Sequence, residues 1–308
     1  MRERSLVPEP EFDSYYGRPV LKAPVWKQPD VPLYLAIGGY AGVSAILAEG
    51  AAASGRPGLE RVTRVGAAVG VAAGTVALVH DLGRPERFLN MLRVFKPTSP
   101  LSVGSWILAP FGGLATAAAA SSVSGRLPLL GRAAGLGAAA LGAPLATYTA
   151  ALLANTAVPA WHEAHRELPF LFAGSAASAA GGVALALAPL DESGPARRMA
   201  VLGTAVELAA EAGIETRLGS LAEPYRTGRP GRLRTASRAL GVAGAVGAML
   251  GRRSRTVSVA SGSALAASSI LLRFAVFQAG LASAKDPKYT VGPQRDRLSA
   301  RRPSAATE

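Results

Sequence analysis

Eight apolar blocks, at 31–53, 65–80, 103–121, 133–156, 168–190, 199–216, 235–250 and 256–282, restrict the folds open to this chain. A bilayer core about 30 Å thick takes around 20 apolar residues to cross as a helix, and a helix satisfies its own backbone polar groups in lipid. Most of the blocks meet that length. The second, sixth and seventh are short on apolar residues alone, and need their polar flanks or a thinner or tilted placement. Only 17% of the 308 residues are charged and 49% are hydrophobic, whereas a soluble domain carries about a quarter charged. The expected fold is an all-α integral membrane protein, a bundle of about eight transmembrane helices over 31–282. An extramembrane arm over 1–30 precedes it, and a polar tail over 283–308, expected to be disordered at its end, follows.

Small residues recur along these blocks. Gly66, Gly70 and Gly74 are spaced by four, and Gly241, Gly244 and Gly247 by three. Such stripes let helix backbones approach closely where lipid supplies no hydrophobic drive for association. A composition biased toward Ala and Gly throughout accounts for part of the pattern. The chain has no cysteine, which excludes disulfides, thiolate-held iron–sulfur clusters and a CxxC redox pair within it. Its three histidines are His80, His162 and His165, and two of them lie in one loop. A haem held by two histidines across a bundle is therefore not expected, nor is a metal site. His162-Glu163-Ala164-His165 spaces its histidines by three rather than the four of the zinc-protease motif. No cleavable leader is visible, so the first apolar block is expected to act as the insertion signal.

With eight spans both termini share one side, here side A. Its segments are the arm, the 82–101 connection, the 157–167 and 216–238 loops and the tail, which together hold 22 Lys and Arg. The loops of side B hold 10. By the positive-inside rule side A, with both termini, is expected to be cytoplasmic. The net charge of +13 then reflects orientation and lipid contact. No nucleic-acid motif accompanies it, and the basic residues are spread over several loops.

The segment HDLGRPERFLNMLRVFKPTSPLSVGSW, at 80–106, leaves one apolar block and enters the next. Charge between two spanning segments is costly unless it meets a partner or a ligand. Gly83 and Pro85 suit a helix stop, and Ser102 suits a cap for the next helix. Between them Phe88, Leu92 and Phe95 fall at i, i+4 and i+7, which predicts a short amphipathic helix over 86–95 at the interface. Crossing parity brings Tyr34, His80, Asp81, Ser102, Ser105, Trp106 and Asn155 to side A. Tyr148 lies about 10 Å deeper at 1.5 Å per residue. An amphipathic ligand with a polar head, such as a quinone, suits a site of this kind. An aromatic belt beside a capped loop accounts for the same residues.

The HDLGRPERF…FKPTSPLSVGSW block, the YTAALLANTAVPAW segment and the ELAAE run resemble the NrfD/PsrC family, membrane subunits of polysulfide reductase-like molybdoenzymes. DPKYTVGPQR in the tail is similar to members found beside formate dehydrogenase-like subunits. The resemblance spans about 31–297. It implies a quinone-interacting anchor (menaquinone or ubiquinone) without a prosthetic group of its own. Electrons would pass to or from a docked ferredoxin-like iron–sulfur subunit, with a molybdopterin catalytic subunit beyond it. It also implies that Tyr148 hydrogen-bonds a quinone oxygen, that Asp81 exchanges protons, and that Arg84 pairs with Asp81 beside the loop-shaping Arg87. The histidine that lines the site from the first helix in that family has no counterpart here; Tyr34 and His80 are the nearest substitutes. Many members dock their partner on the outer face, whereas the basic-residue count places side A inside.

Glu207, Glu211 and Glu215 recur every four residues and line one helix face. Glu207 and Glu211 either pass protons across the bundle or pair with Arg273, and Glu49, near side B, would join such a proton path. A secondary transporter is the rival function. It calls for broken helices around a midplane site and an internal repeat, and the two halves show no such repeat.

Overall fold

The computed structural model describes residues 20–22, 24–84 and 86–301, with side chains to residue 295. Most of the N-terminal arm, Pro85 and the end of the tail lie outside them. Eight helices of 20 residues or more account for most of the described chain: α1 (Asp30–Ala53), α2 (Pro57–Asp81), α4 (Pro100–Ser124), α5 (Pro128–Ala154), α7 (Leu168–Leu187), α8 (Gly194–Arg217), α10 (Gly228–Leu250) and α11 (Arg255–Lys285). Short helices fill the connections: α3 (Glu86–Met91), α6 (Pro159–Glu163) and α9 (Glu223–Arg226). The tail forms α12 (Lys288–Arg301) before the undescribed end. No strand occurs among the described residues.

Each apolar block coincides with one long helix, and most helices run past their block onto polar flanks. Six of them, α1, α2, α4, α5, α7 and α11, are long and apolar enough to cross a membrane. The second block belongs to this set because α2 extends back to Pro57. The sixth and seventh blocks do not, since α8 carries Arg197, Arg198, Glu207, Glu211 and Glu215 and α10 carries four arginines.

Neighbouring helices pack as pairs, α1 with α2, α4 with α5, α7 with α8 and α10 with α11, and α1 also packs on α5, α7 and α11. Close backbone approach makes this possible. A Cβ at Gly42 or Gly142 would enter the other residue's carbonyl, and one at Gly174 would lie 2.6 Å from the Glu207 backbone nitrogen. The glycine stripes of the sequence are used in the same way. Gly66 and Gly70 receive the ring of Tyr40, and Gly244 receives Leu265.

The connection after α2 departs in detail from its sequence reading. Gly83 turns the chain at φ +69, as a helix stop requires. The helix that follows spans six residues instead of 86–95. It leaves Leu89 exposed, with Phe88 partly buried against the core and Phe95 edge-on to Trp106 at 5.9 Å. The cap of α4 is Ser99 and not Ser102, because α4 already begins at Pro100. Ser99 Oγ accepts from the Ser102 amide at 3.5 Å, while Ser102 Oγ donates to the Val94 carbonyl at 3.1 Å.

Candidate functional site

The side A end of α1 and α2 gathers several of the expected residues. Asp81 closes α2, and its Oδ1 accepts the backbone amide of Lys27 at 2.9 Å. Lys27 in turn offers its carbonyl to the Val31 amide at the start of α1, 3.1 Å away. One turn of backbone before α1 is thereby tied to the end of α2. His80 Nδ1 lies 2.7 Å from Asp30 Oδ2. The imidazole is 74% exposed and the carboxylate 13%, so the pair is anchored at Asp30 and reachable at His80. Beside it an open cavity of about 490 Å³ is lined by Lys27, Thr75, Val76, Val79, His80 and Gly83. Its wall is apolar and its end polar.

Tyr34 and Tyr148 are buried in the hydrophobic core, in one cluster with Leu78 of α2, Leu108 of α4 and Leu145 of α5. Tyr148 rests against Gly104 of α4, where a Cβ would fall within the ring. Asn155 is exposed where α5 ends, and Arg84 is exposed in the turn after Gly83. Arg87 reaches the Leu82 carbonyl at 3.5 Å. The arrangement thus brings His80 and Asp81 to one surface and the two tyrosines to the adjoining core.

The other sequence-expected carboxylates lie elsewhere. Glu49 pairs with Arg64 of α2 at 2.8 Å, near the side B end, and Arg64 also holds Glu60 at 2.8 Å. Glu207 is buried on α8, within the field of Arg273. The Arg273 guanidinium is wholly buried, stacks 3.9 Å over the Phe172 ring and donates from Nη2 to the Phe172 carbonyl at 2.9 Å. Glu211 is buried, and both its carboxylate oxygens lack a hydrogen-bond partner among the described residues. Glu215 is paired with Arg234 of α10.

Several contacts at side A were not visible in the sequence. Trp26, Trp161 and Phe277 stack with ring centres 5.6 to 6.5 Å apart. Trp161 is fully buried, donates Nε1 to the Val276 carbonyl at 2.8 Å and leaves no room for a Cβ at Gly280. Tyr225 donates to the Ala160 carbonyl at 2.9 Å, and burial pushes its phenol above the ordinary value. Glu167 is held by Arg217 in a two-point pair at 2.5 and 2.6 Å. Burial raises its carboxyl, but the Arg217 hydrogen bonds and charge outweigh this and set it below the usual range. His162 and His165 each turn Nδ1 to a backbone carbonyl, of Ala154 and His162, at 3.0 Å. Among the described residues no three His, Asp or Glu side chains are grouped to hold a metal ion.

These features define a multi-pass, all-helical membrane protein with ionisable and aromatic groups gathered at one end of its first helices. No curated protein matches the chain. A family model described as polysulphide reductase, NrfD, matches residues 25–204, more than half of the sequence, and the chain belongs to that family.

Proposed function

We propose that this protein is the quinone-interacting membrane anchor of a molybdopterin and iron–sulfur oxidoreductase complex. In this reading it passes electrons between the membrane quinone pool and a docked iron–sulfur subunit. The observation that carries it is the side A cavity with valines along its wall and Lys27 and His80 at its polar end. An amphipathic ring with an isoprenoid tail has that polarity. Tyr34 and Tyr148 belong to the core that Leu78 of α2 joins, and the family match covers all these residues.

In the proposed site Tyr148 donates a hydrogen bond to a quinone oxygen and Tyr34 stands near it, both from the core and outside the lining of the open cavity. Asn155 and Arg84, exposed at the ends of their helices, are the outermost members assigned to the site. His80, reachable from outside and backed by Asp30, exchanges protons together with Asp81. The quinone, when bound, supplies the redox chemistry. The lengths of α8 and α10, 24 and 23 residues, correspond to about 35 Å each, which supports eight crossings and so both termini on one side; the excess of Lys and Arg on that side favours the cytoplasm. Turned inward, the acidic groups of α8 meet protein rather than lipid. Affinity purification in mild detergent, with identification of co-purifying subunits and their metals, tests the assembly. Recovery with an iron–sulfur protein and a molybdopterin protein is the expected result. Recovery of the chain alone, without iron or bound quinone, counts against it.

A second reading, a proton-conducting or transport role, is favoured by one observation. Glu211 is buried with both carboxylate oxygens unpartnered, one turn from buried Glu207. Proteoliposomes carrying Glu211→Gln test it. A loss of proton flux that spares quinone reactivity would move the assignment to this reading.

A further inference from the structure

The far end of the bundle holds a second polar recess. The α1–α2 and α4–α5 turns border a pocket of about 360 Å³ whose lining includes Glu60, Arg61, Arg64, Ser121, Ser122 and Arg132. Arg64 is almost wholly buried, and its two ion pairs consume the charges of Glu49 and Glu60. Its Nε remains buried without a hydrogen-bond partner among the described residues. Arg61 and Arg132 are exposed on the pocket wall. Three guanidinium groups therefore line the pocket with one carboxylate, Glu60, which already belongs to Arg64. The positive end of α5, which begins at Pro128 on the same wall, adds to the field, while that of α2 is already met by Glu192, whose Oε2 accepts the Leu59 amide at 2.8 Å.

Arg61 also stands at the mouth of an apolar groove of about 530 Å³, whose lining includes Val62, Val65, Val69, Gly70 and Leu187. The groove follows α2 from Arg61 to Ala73, a run of about 18 Å at 1.5 Å per residue. One leaflet of a hydrocarbon core about 30 Å thick has nearly that depth. A cationic recess at the bilayer surface thus continues, through one arginine, into an apolar channel one leaflet deep. Val69 and Leu187 are exposed along it.

We infer that this end of the protein binds an anionic phospholipid, with its phosphate between Arg61 and Arg132 and an acyl chain along the α2–α7 groove. The arginines supply charge complementarity, and the groove supplies what a free phosphate ion has no use for. The site lies at the opposite end of α2 from His80, so it stands apart from the proposed quinone site.

Native mass spectrometry of the full chain, delipidated in detergent, provides the test. Dioleoyl-phosphatidylglycerol and dioleoyl-phosphatidylcholine are titrated separately, and inorganic phosphate is titrated by calorimetry. The expected result is at least tenfold preference for phosphatidylglycerol over phosphatidylcholine. Arg61→Gln and Arg132→Gln should each cost roughly fivefold, and the double variant should bind both lipids alike. Val69→Trp, a change at an exposed position that fills the groove, should weaken phosphatidylglycerol binding with the melting temperature unchanged. Equal retention of the two lipids in the wild type would overturn the inference, as would a double variant that keeps the preference. Phosphate binding as tight as the lipid's, with Val69→Trp silent, would make the recess a free-anion site and overturn it too.

Discussion

A Cβ at Gly104 would lie 2.8 Å from Cζ of Tyr148 and closer still to its Cε2. The tyrosine ring rests on the α4 backbone, and its position depends on the missing side chain at 104. Gly104→Ala must displace the ring or part α4 from α5, at a cost of about 1–3 kcal/mol. Tyr148→Phe keeps the ring and removes only the hydroxyl. It is expected to melt like the wild type and to weaken quinone binding roughly fivefold, the worth of one hydrogen bond. Thermal melts and quinone titration of the two variants check this; a Tyr148→Phe protein with unchanged quinone affinity would remove Tyr148 from the site.

Asp81 holds the segment before α1 through the Lys27 amide. Asp81→Asn replaces a charged acceptor with a weaker neutral one. Faster hydrogen exchange at the Lys27 amide, with α2 itself still protected, is the expected outcome. Exchange at the wild-type rate would mean that other contacts fix this segment.

The Glu167–Arg217 pair gives a pH dependence with a definite sign. The folded carboxyl titrates below its ordinary 4.5, so the unfolded chain takes up the proton first as pH falls. The pair's contribution is therefore full above about 4.5 and is lost as pH drops through the lower folded value. Glu167→Gln should cost about 1 kcal/mol at pH 7, and its melting temperature should converge on the wild type's toward pH 3. A gap independent of pH would contradict this origin.

Gly280 lies under the indole of Trp161, which leaves no volume for a methyl group. Gly280→Ala is expected to destabilise the protein by about 1–3 kcal/mol. It should also shift tryptophan emission to the red as Trp161 moves toward water. Gly292, with open space around its Cβ position, is the control: Gly292→Ala should leave the emission alone.

Periodicity and hydropathy carry the helices because both are local. All eight apolar blocks coincide with long helices, and the three marked as short differ for a readable reason. The N-terminal turns of α2 lengthen its block into an apolar span, whereas α8 carries charges along most of its length and α10 carries four arginines in its first half. Partnerships between distant residues were less legible. The partner of Glu49 is Arg64, 15 positions away on the next helix. Asp30, unremarkable in the sequence, is the partner of His80, 50 positions away. Trp161 gives no hint of Gly280 or Phe277, since only the packing of α6 on α11 brings them together. Asn155 and Arg84 sit at helix ends, where crossing parity fixes depth but not direction, and both face outward.

The central claim is that a quinone is bound beside Tyr148, Tyr34 and His80. Photolabelling of native membranes with an azidoquinone, followed by peptide mapping, addresses it most directly. The account predicts label on peptides containing residues 27–34, 75–84 or 145–155, suppressed by excess unlabelled quinone and reduced in Tyr148→Phe. Label spread over the lipid-facing helices and unaffected by competing quinone would contradict it.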